Sequence, residues 1–112
     1  MKLSGEAQLL RVFVGESDKF QGRPLYEAVV EAARGHGLAG ATVLRGTLSY
    51  GVHSQVHSAK VLHLSESLPM VIEIVDEPEK IAAFLPALDA MIGEGMVTLE
   101  KVNVIIYRQG GS

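Results

Sequence analysis

Apolar and polar positions along the chain fall into two repeated patterns, one of period two and one of helical period. Residues 7–16 alternate: Leu10, Val12 and Val14 face one way, and Leu9, Arg11 and Phe13 the other, as in a strand. Residues 17–23 are polar and read as a loop. Pro24 stands at the first helical position, and Leu25, Ala28, Val29, Ala32 and Ala33 then recur at helical spacing. Gly35 and Gly37 stop that helix. A second strand is expected over residues 38–47, after which the chain turns polar over a long loop, residues 48–60, of the kind a small domain keeps when the loop has a job. A third strand is expected over residues 61–76, interrupted near 65–67 and most regular over 68–75. Asp76 reads as an N-cap, with Pro78 in the first turn and Glu79 at capping-box spacing. Ile81, Phe84, Leu85, Leu88, Met91 and Ile92 form a second helical stripe, bent at Pro86 and closed by Gly93 and Gly95. Residues 97–108 read as the last strand and 109–112 as a loose tail.

Strand, helix, strand, strand, helix, strand is the order of an α+β, ferredoxin-like βαββαβ fold: a four-stranded antiparallel sheet with both helices on one face. The 112 residues fit a single domain that buries roughly two thirds of its unfolded surface. The second sheet face then receives Leu9, Arg11 and Phe13, Val71, Glu73 and Val75, and Asn103, Ile105 and Tyr107. Six large apolar side chains there are too many to leave in water, at about 1.5–3 kcal/mol each, so copies of the chain are expected to pack through this face. Arg11 and Glu73 are expected to pair within it.

Composition narrows the function. The net charge is −3 with dispersed cations, which argues against nucleic-acid binding. There is no cysteine, which excludes disulfides and thiolate metal sites. No apolar run approaches the roughly 18 residues of a membrane span, and the first six residues lack a signal-peptide core, so a soluble cytoplasmic protein without membrane insertion is expected. No nucleophile motif, P-loop or dinucleotide fingerprint is present, and no enzyme is expected. His53 and His57, four residues apart, and His63 are weak candidate metal ligands, but solvated loop histidines are the favoured reading and no metal site is expected.

The set GLAGATVLRG, SYG with HS, LSESLPMVIEIVDEPEKI and GMVTLEKVNVIIY resembles the short prokaryotic proteins catalogued as domain of unknown function 190, which are similar in turn to the PII signalling proteins. The resemblance runs from about Leu9 to Tyr107. It implies a homotrimer whose three sheets face a central axis. It also implies an adenine nucleotide, such as ATP, ADP or AMP, bound between neighbouring subunits. A T-loop, here about residues 48–60, would contact a membrane transporter, channel or enzyme. Carried over residue by residue, the ligand site would comprise Arg45, Gly46 and Gly51 at the base of the T-loop, Gly93, Gly95 and Thr98 around the glycine-rich turn, and Arg108 near the chain end. The lysine of the PII turn is absent, and Glu94 adds a negative charge there. Tyr50, His53, Gln55 and His57 would be the partner-contacting residues. The alternative implied by the same resemblance is a small trimeric metal- or ion-binding protein like the copper-tolerance relatives of PII, with His53, His57 and His63 as ligands.

Overall fold

The computed structural model describes residues 5–46, 48–50, 56–58 and 68–108. Strand β1, Gly5–Gly15, is followed by two short strands, β2, Lys19–Phe20, and β3, Arg23–Pro24, and by helix α1, Leu25–Gly35. Then come β4, Thr42–Arg45, β5, Leu48–Tyr50, β6, Val56–Ser58, β7, Pro69–Asp76, helix α2, Pro78–Met91, and β8, Met96–Val104. The main sheet has the order β4-β7-β1-β8, with every neighbouring pair antiparallel, as a ferredoxin-like fold requires.

Helices cover one face. Leu10, Val12 and Val14 of β1 and Met70, Ile72 and Ile74 of β7 meet Leu25, Val29 and Ala33 of α1 and Ile81, Phe84 and Leu88 of α2, all buried. Alternation in the two central strands therefore follows the expected parity. His36, at the end of α1, stacks edge-on against Phe84 with ring centroids 5.3 Å apart, joining the two helices beside the core.

Several boundaries differ from expectation for identifiable reasons. The polar stretch after β1 holds a small hairpin, β2 paired with β3, turned at Gln21 and Gly22, both with positive φ, the primed geometry that suits strand twist. Pro24 is the N-cap of α1 and Leu25 its first residue. The C-terminus of α1 is a full Schellman closure. Gly37, in the left-handed region at φ 75, donates to the Arg34 carbonyl, and Leu38 donates to Ala33. That closure consumes Leu38, and the second strand of the main sheet begins at Thr42 instead of residue 38.

Asp76 is not the N-cap of α2. Glu77 holds that position, with no side-chain cap bond, and Pro78 opens the helix. Asp76 is the last residue of β7 and fully buried; one carboxylate oxygen accepts the Ala39 N–H at 2.7 Å and the other the Glu77 N–H at 2.7 Å. A charge taken from water is tolerated because backbone donors replace its hydration. It ties the loop after α1 to the start of α2. Pro86 lies on the solvent side of α2, where the Ala82 carbonyl that loses its helical donor can turn to water.

The last strand also ends earlier than expected, at Val104, so Ile105 and Tyr107 lie beyond it. Its parity is opposite to the one assumed. Arg11 faces Thr98 and Glu6 faces Asn103, so β8 brings Met96, Thr98 and Glu100, and not Asn103, to the uncovered face. Of the expected loop, residues 48–50 and 56–58 pair as an antiparallel ribbon. Gly51, His53, Gln55 and His63, and the proposed strand start at 61–67, lie outside the described residues.

Three substitutions test this arrangement. Asp76→Ala leaves the Ala39 and Glu77 N–H groups without their acceptor and is expected to lower unfolding free energy by about 2–4 kcal/mol in urea titrations; a loss below about 0.5 kcal/mol would show that water replaces the carboxylate. Gly95 has φ 148, and a Cβ there would stand 2.5 Å from the Phe13 carbonyl oxygen, whereas Gly93 has open space. Gly95→Ala is expected to cost about 1–3 kcal/mol and Gly93→Ala less than about 1 kcal/mol, measured the same way.

Candidate ligand-binding site

Antiparallel pairing brings four strand ends to one end of the main sheet: the finish of β1 and β4 and the start of β7 and β8. Backbone bonds lock them. The Glu16 N–H donates to the Leu68 carbonyl at 2.8 Å, and the Gly46 N–H donates to the Pro69 carbonyl at 2.7 Å. Gly46 is fixed by this approach, since a Cβ would lie 2.6 Å from Cγ of Pro69. The Gly15 N–H is accepted by the Asp18 carboxylate at 2.8 Å. Arg45, the last residue of β4, has its guanidinium on the Glu16 carboxylate.

Arg45 and Gly46 therefore stand at the root of the segment that carries the β5–β6 ribbon. The Gly93–Gly95 turn lies at the same end of the sheet, leading into β8. β4 and β8 are opposite edges, however, three strand spacings apart, or about 14 Å. Thr98 is not in that turn; it lies within β8 opposite Arg11, on the uncovered face. Arg108 follows the far end of β8. The nine residues of that strand span about 26 Å, and the four residues after Val104 cannot lead back along it. One chain thus brings Arg45, Gly46, Gly93 and Gly95 to one end and leaves Arg108 at the other. Tyr50 and His57 fall in the ribbon.

The uncovered face carries a second cluster. Arg11 stands opposite Glu73, and its Nε donates to the Glu73 carboxylate at 2.9 Å, as the paired parity of the two strands implied. Its Nη1 donates to Glu100 at 2.6 Å. The bond to Glu73 raises the Arg11 pKa further, with the charges of Glu100 and Glu73 adding to it. Around this triad lie Leu9, Phe13, Val71 and Val75, all half-buried, and Leu44 and Met96, which are 48% and 55% exposed. Val97 and Leu99, on the helix side of β8, are also exposed because the helices stop short of this edge.

Sequence reasoning missed Glu16, Glu100 and Leu44. Glu100 shares the parity of Thr98 once the register of β8 is known. Glu16 could not be found from spacing, since its partner is 29 residues away. A shallow groove of about 410 Å³ lies elsewhere, lined by Arg23, Tyr26, Glu27, Val30, Glu31 and Val43; no residue of the expected site lines it.

A UPF0166 protein of Aquifex aeolicus is 43% identical over 98 residues, covering 88% of this chain and 92% of its own length. Among solved structures, CPII, a nitrogen regulatory PII-like protein from Thiomonas intermedia K12 bound to ADP and bicarbonate, superposes with TM-score 0.66 at 16% identity, covering 88% of each chain. The divalent ion tolerance protein CutA1 of Ehrlichia chaffeensis shares the fold more loosely, with TM-score 0.59 at 8% identity over 93% of this chain and 86% of its own. Residues 7–104 match the family DUF190, described as an uncharacterized ACR, and the chain belongs to that family, with the fold of the PII-like proteins.

Proposed function

We propose that this chain is the subunit of a PII-like regulatory homotrimer in the cytoplasm. It takes an adenine nucleotide in the clefts between subunits and reaches a transporter, channel or enzyme through residues 48–60. The observation that carries this reading is the split of the cationic and glycine residues between the two ends of one chain. Arg45 and Gly46 stand at the ribbon root, the Gly93–Gly95 turn at the other edge of that end, and Arg108 beyond the opposite end. A second copy would supply to a shared ligand what the first cannot reach, which supports an intersubunit phosphate site. Backbone N–H groups of the turn and the Arg45 guanidinium are suited to phosphate oxygens.

The uncovered sheet face supports the assembly. Its half-buried apolar residues surround a triad whose net charge is −1, and packing against equivalent faces would remove this apolar area from water. Signalling then follows from differential affinity: nucleotide favours one arrangement of the ribbon root, and the partner binds one arrangement better than the other. No group of three His, Cys, Asp or Glu side chains among the described residues is arranged to hold a metal, and the candidate ligands His53 and His63 of the metal-binding alternative lie outside those residues.

Calorimetry tests the ligand. ADP is expected to bind, and Arg45→Ala and Arg108→Ala are each expected to weaken it about tenfold or more. No heat with ATP, ADP or AMP would remove the reading. Sedimentation at micromolar concentration is expected to give about three times the 12.0 kDa chain mass. Arg11→Ala strands Glu73 and Glu100 on the packed face and is expected to shift the sedimenting species toward monomer; a wild-type monomer would refute the trimer.

A further inference from the structure

The anion-binding candidate Arg45 already holds an anion of the protein's own. Its guanidinium sits on the Glu16 carboxylate, and neither partner is placed by chance. Glu16 is the first residue past β1, and its N–H is bonded to the Leu68 carbonyl. Arg45 is the last residue of β4, with Met70 opposite and the next N–H bonded to Pro69. Three locked strand ends therefore deliver one cation and one carboxylate to each other. The Arg45 side chain is 55% exposed and that of Glu16 31%, so solvent, and any solute anion, can reach the pair.

We propose that Glu16 is a built-in competitor for the ligand at Arg45: the phosphate of a bound nucleotide displaces the Glu16 carboxylate, and the displaced state is the one the ribbon root reports. The proposal rests on the reading of Arg45 as a phosphate contact. Charge gives the displacement its direction. Asp18 is two residues away, with its carboxylate held by the Gly15 N–H. In the unliganded pair Arg45 offsets the Glu16 charge beside Asp18. Once Arg45 turns to a phosphate, Glu16, Asp18 and the ligand are all negative, and Glu16 moves outward into water. Arg45 thus has two discrete partners, with β5 beginning three residues further on. Competition of this kind sets a threshold: ligand must exceed the concentration at which it replaces the internal carboxylate.

The test titrates the full chain and its Glu16→Gln and Arg45→Ala variants with ADP and, separately, inorganic pyrophosphate, by calorimetry. Glu16→Gln keeps the shape and removes the charge. It is expected to bind both probes about two- to fivefold more tightly than wild type, the range an exposed ion pair can supply. Arg45→Ala is expected to bind most weakly. Tighter binding by Glu16→Gln, including binding where wild type shows none, supports the competitor. Equal affinity of wild type and Glu16→Gln, with Arg45→Ala weakened, overturns it and leaves the nucleotide reading standing. Equal affinity of wild type and Arg45→Ala overturns it by removing Arg45 from the site. Absence of binding by all three overturns the nucleotide reading, and the competitor with it.

Discussion

Two central strands with apolar side chains on both faces need two covering layers, and this chain supplies one. Helices α1 and α2 take the side with Leu10, Val12, Ile72 and Ile74 to complete burial. On the reverse, Leu9, Phe13, Val71 and Val75 reach only half-burial, flanked by the exposed Leu44 and Met96. At about 25 cal/mol per Å² that surface is a standing drive toward association. The Arg11–Glu73–Glu100 triad at its centre prevents the face from being a featureless adhesive patch. Any body that covers it must leave those three groups paired or meet them with complementary groups, since a stranded charge costs more than the surrounding contacts return. Apolar area gives the tendency to associate, and the triad restricts the geometry in which association is tolerated.

The polarity of the strands governs the ligand site in a comparable way. Alternating directions place the end of β4 and the start of β8 at one end of the sheet, and the order β4-β7-β1-β8 holds them at opposite edges. Neither fact can be altered by side-chain substitution. Under the proposed assembly, residues at these positions would meet a common ligand across a boundary between copies, and ligand occupancy and assembly would be linked equilibria.

Much of this architecture could be read from spacing alone. Strands β1 and β7 announce themselves by period-two alternation, and the helices by Val29, Ala33, Phe84 and Leu88 at helical intervals. The Arg11–Glu73 pairing was legible because both residues sit at mid-strand on the uncovered parity. The errors share a cause: local spacing does not reveal which distant group satisfies a polar atom. Asp76 has the spacing of a helix cap, yet its carboxylate is taken by Ala39, 37 residues away, as well as by its neighbour Glu77. Leu38 has strand character, but its N–H is consumed by the Schellman closure. In β8, Val97 and Leu99 contrast with Thr98 and Glu100, but Lys101 and Asn103 then take their parity and Val102 and Val104 the other, so the pattern inverts along the strand and does not fix the parity. Of the site, the glycines with tight backbone approaches, Gly46 and Gly95, were legible as turn residues. Glu16 was not, because it gains meaning only from the convergence of three strand ends.

Pro69 opens β7 opposite Gly15, and its carbonyl accepts the last backbone donor of the β4 side, from Gly46. Having no N–H, it can return nothing to the ladder. On the β1 side backbone pairing runs one residue further, to the Leu68 carbonyl, whereas on the β4 side the described bonds end at Pro69. Among the described residues the ribbon pairs three residues a side, a length that is marginal by itself. Its opening and closing can therefore proceed at low free-energy cost while the sheet that anchors it stays intact.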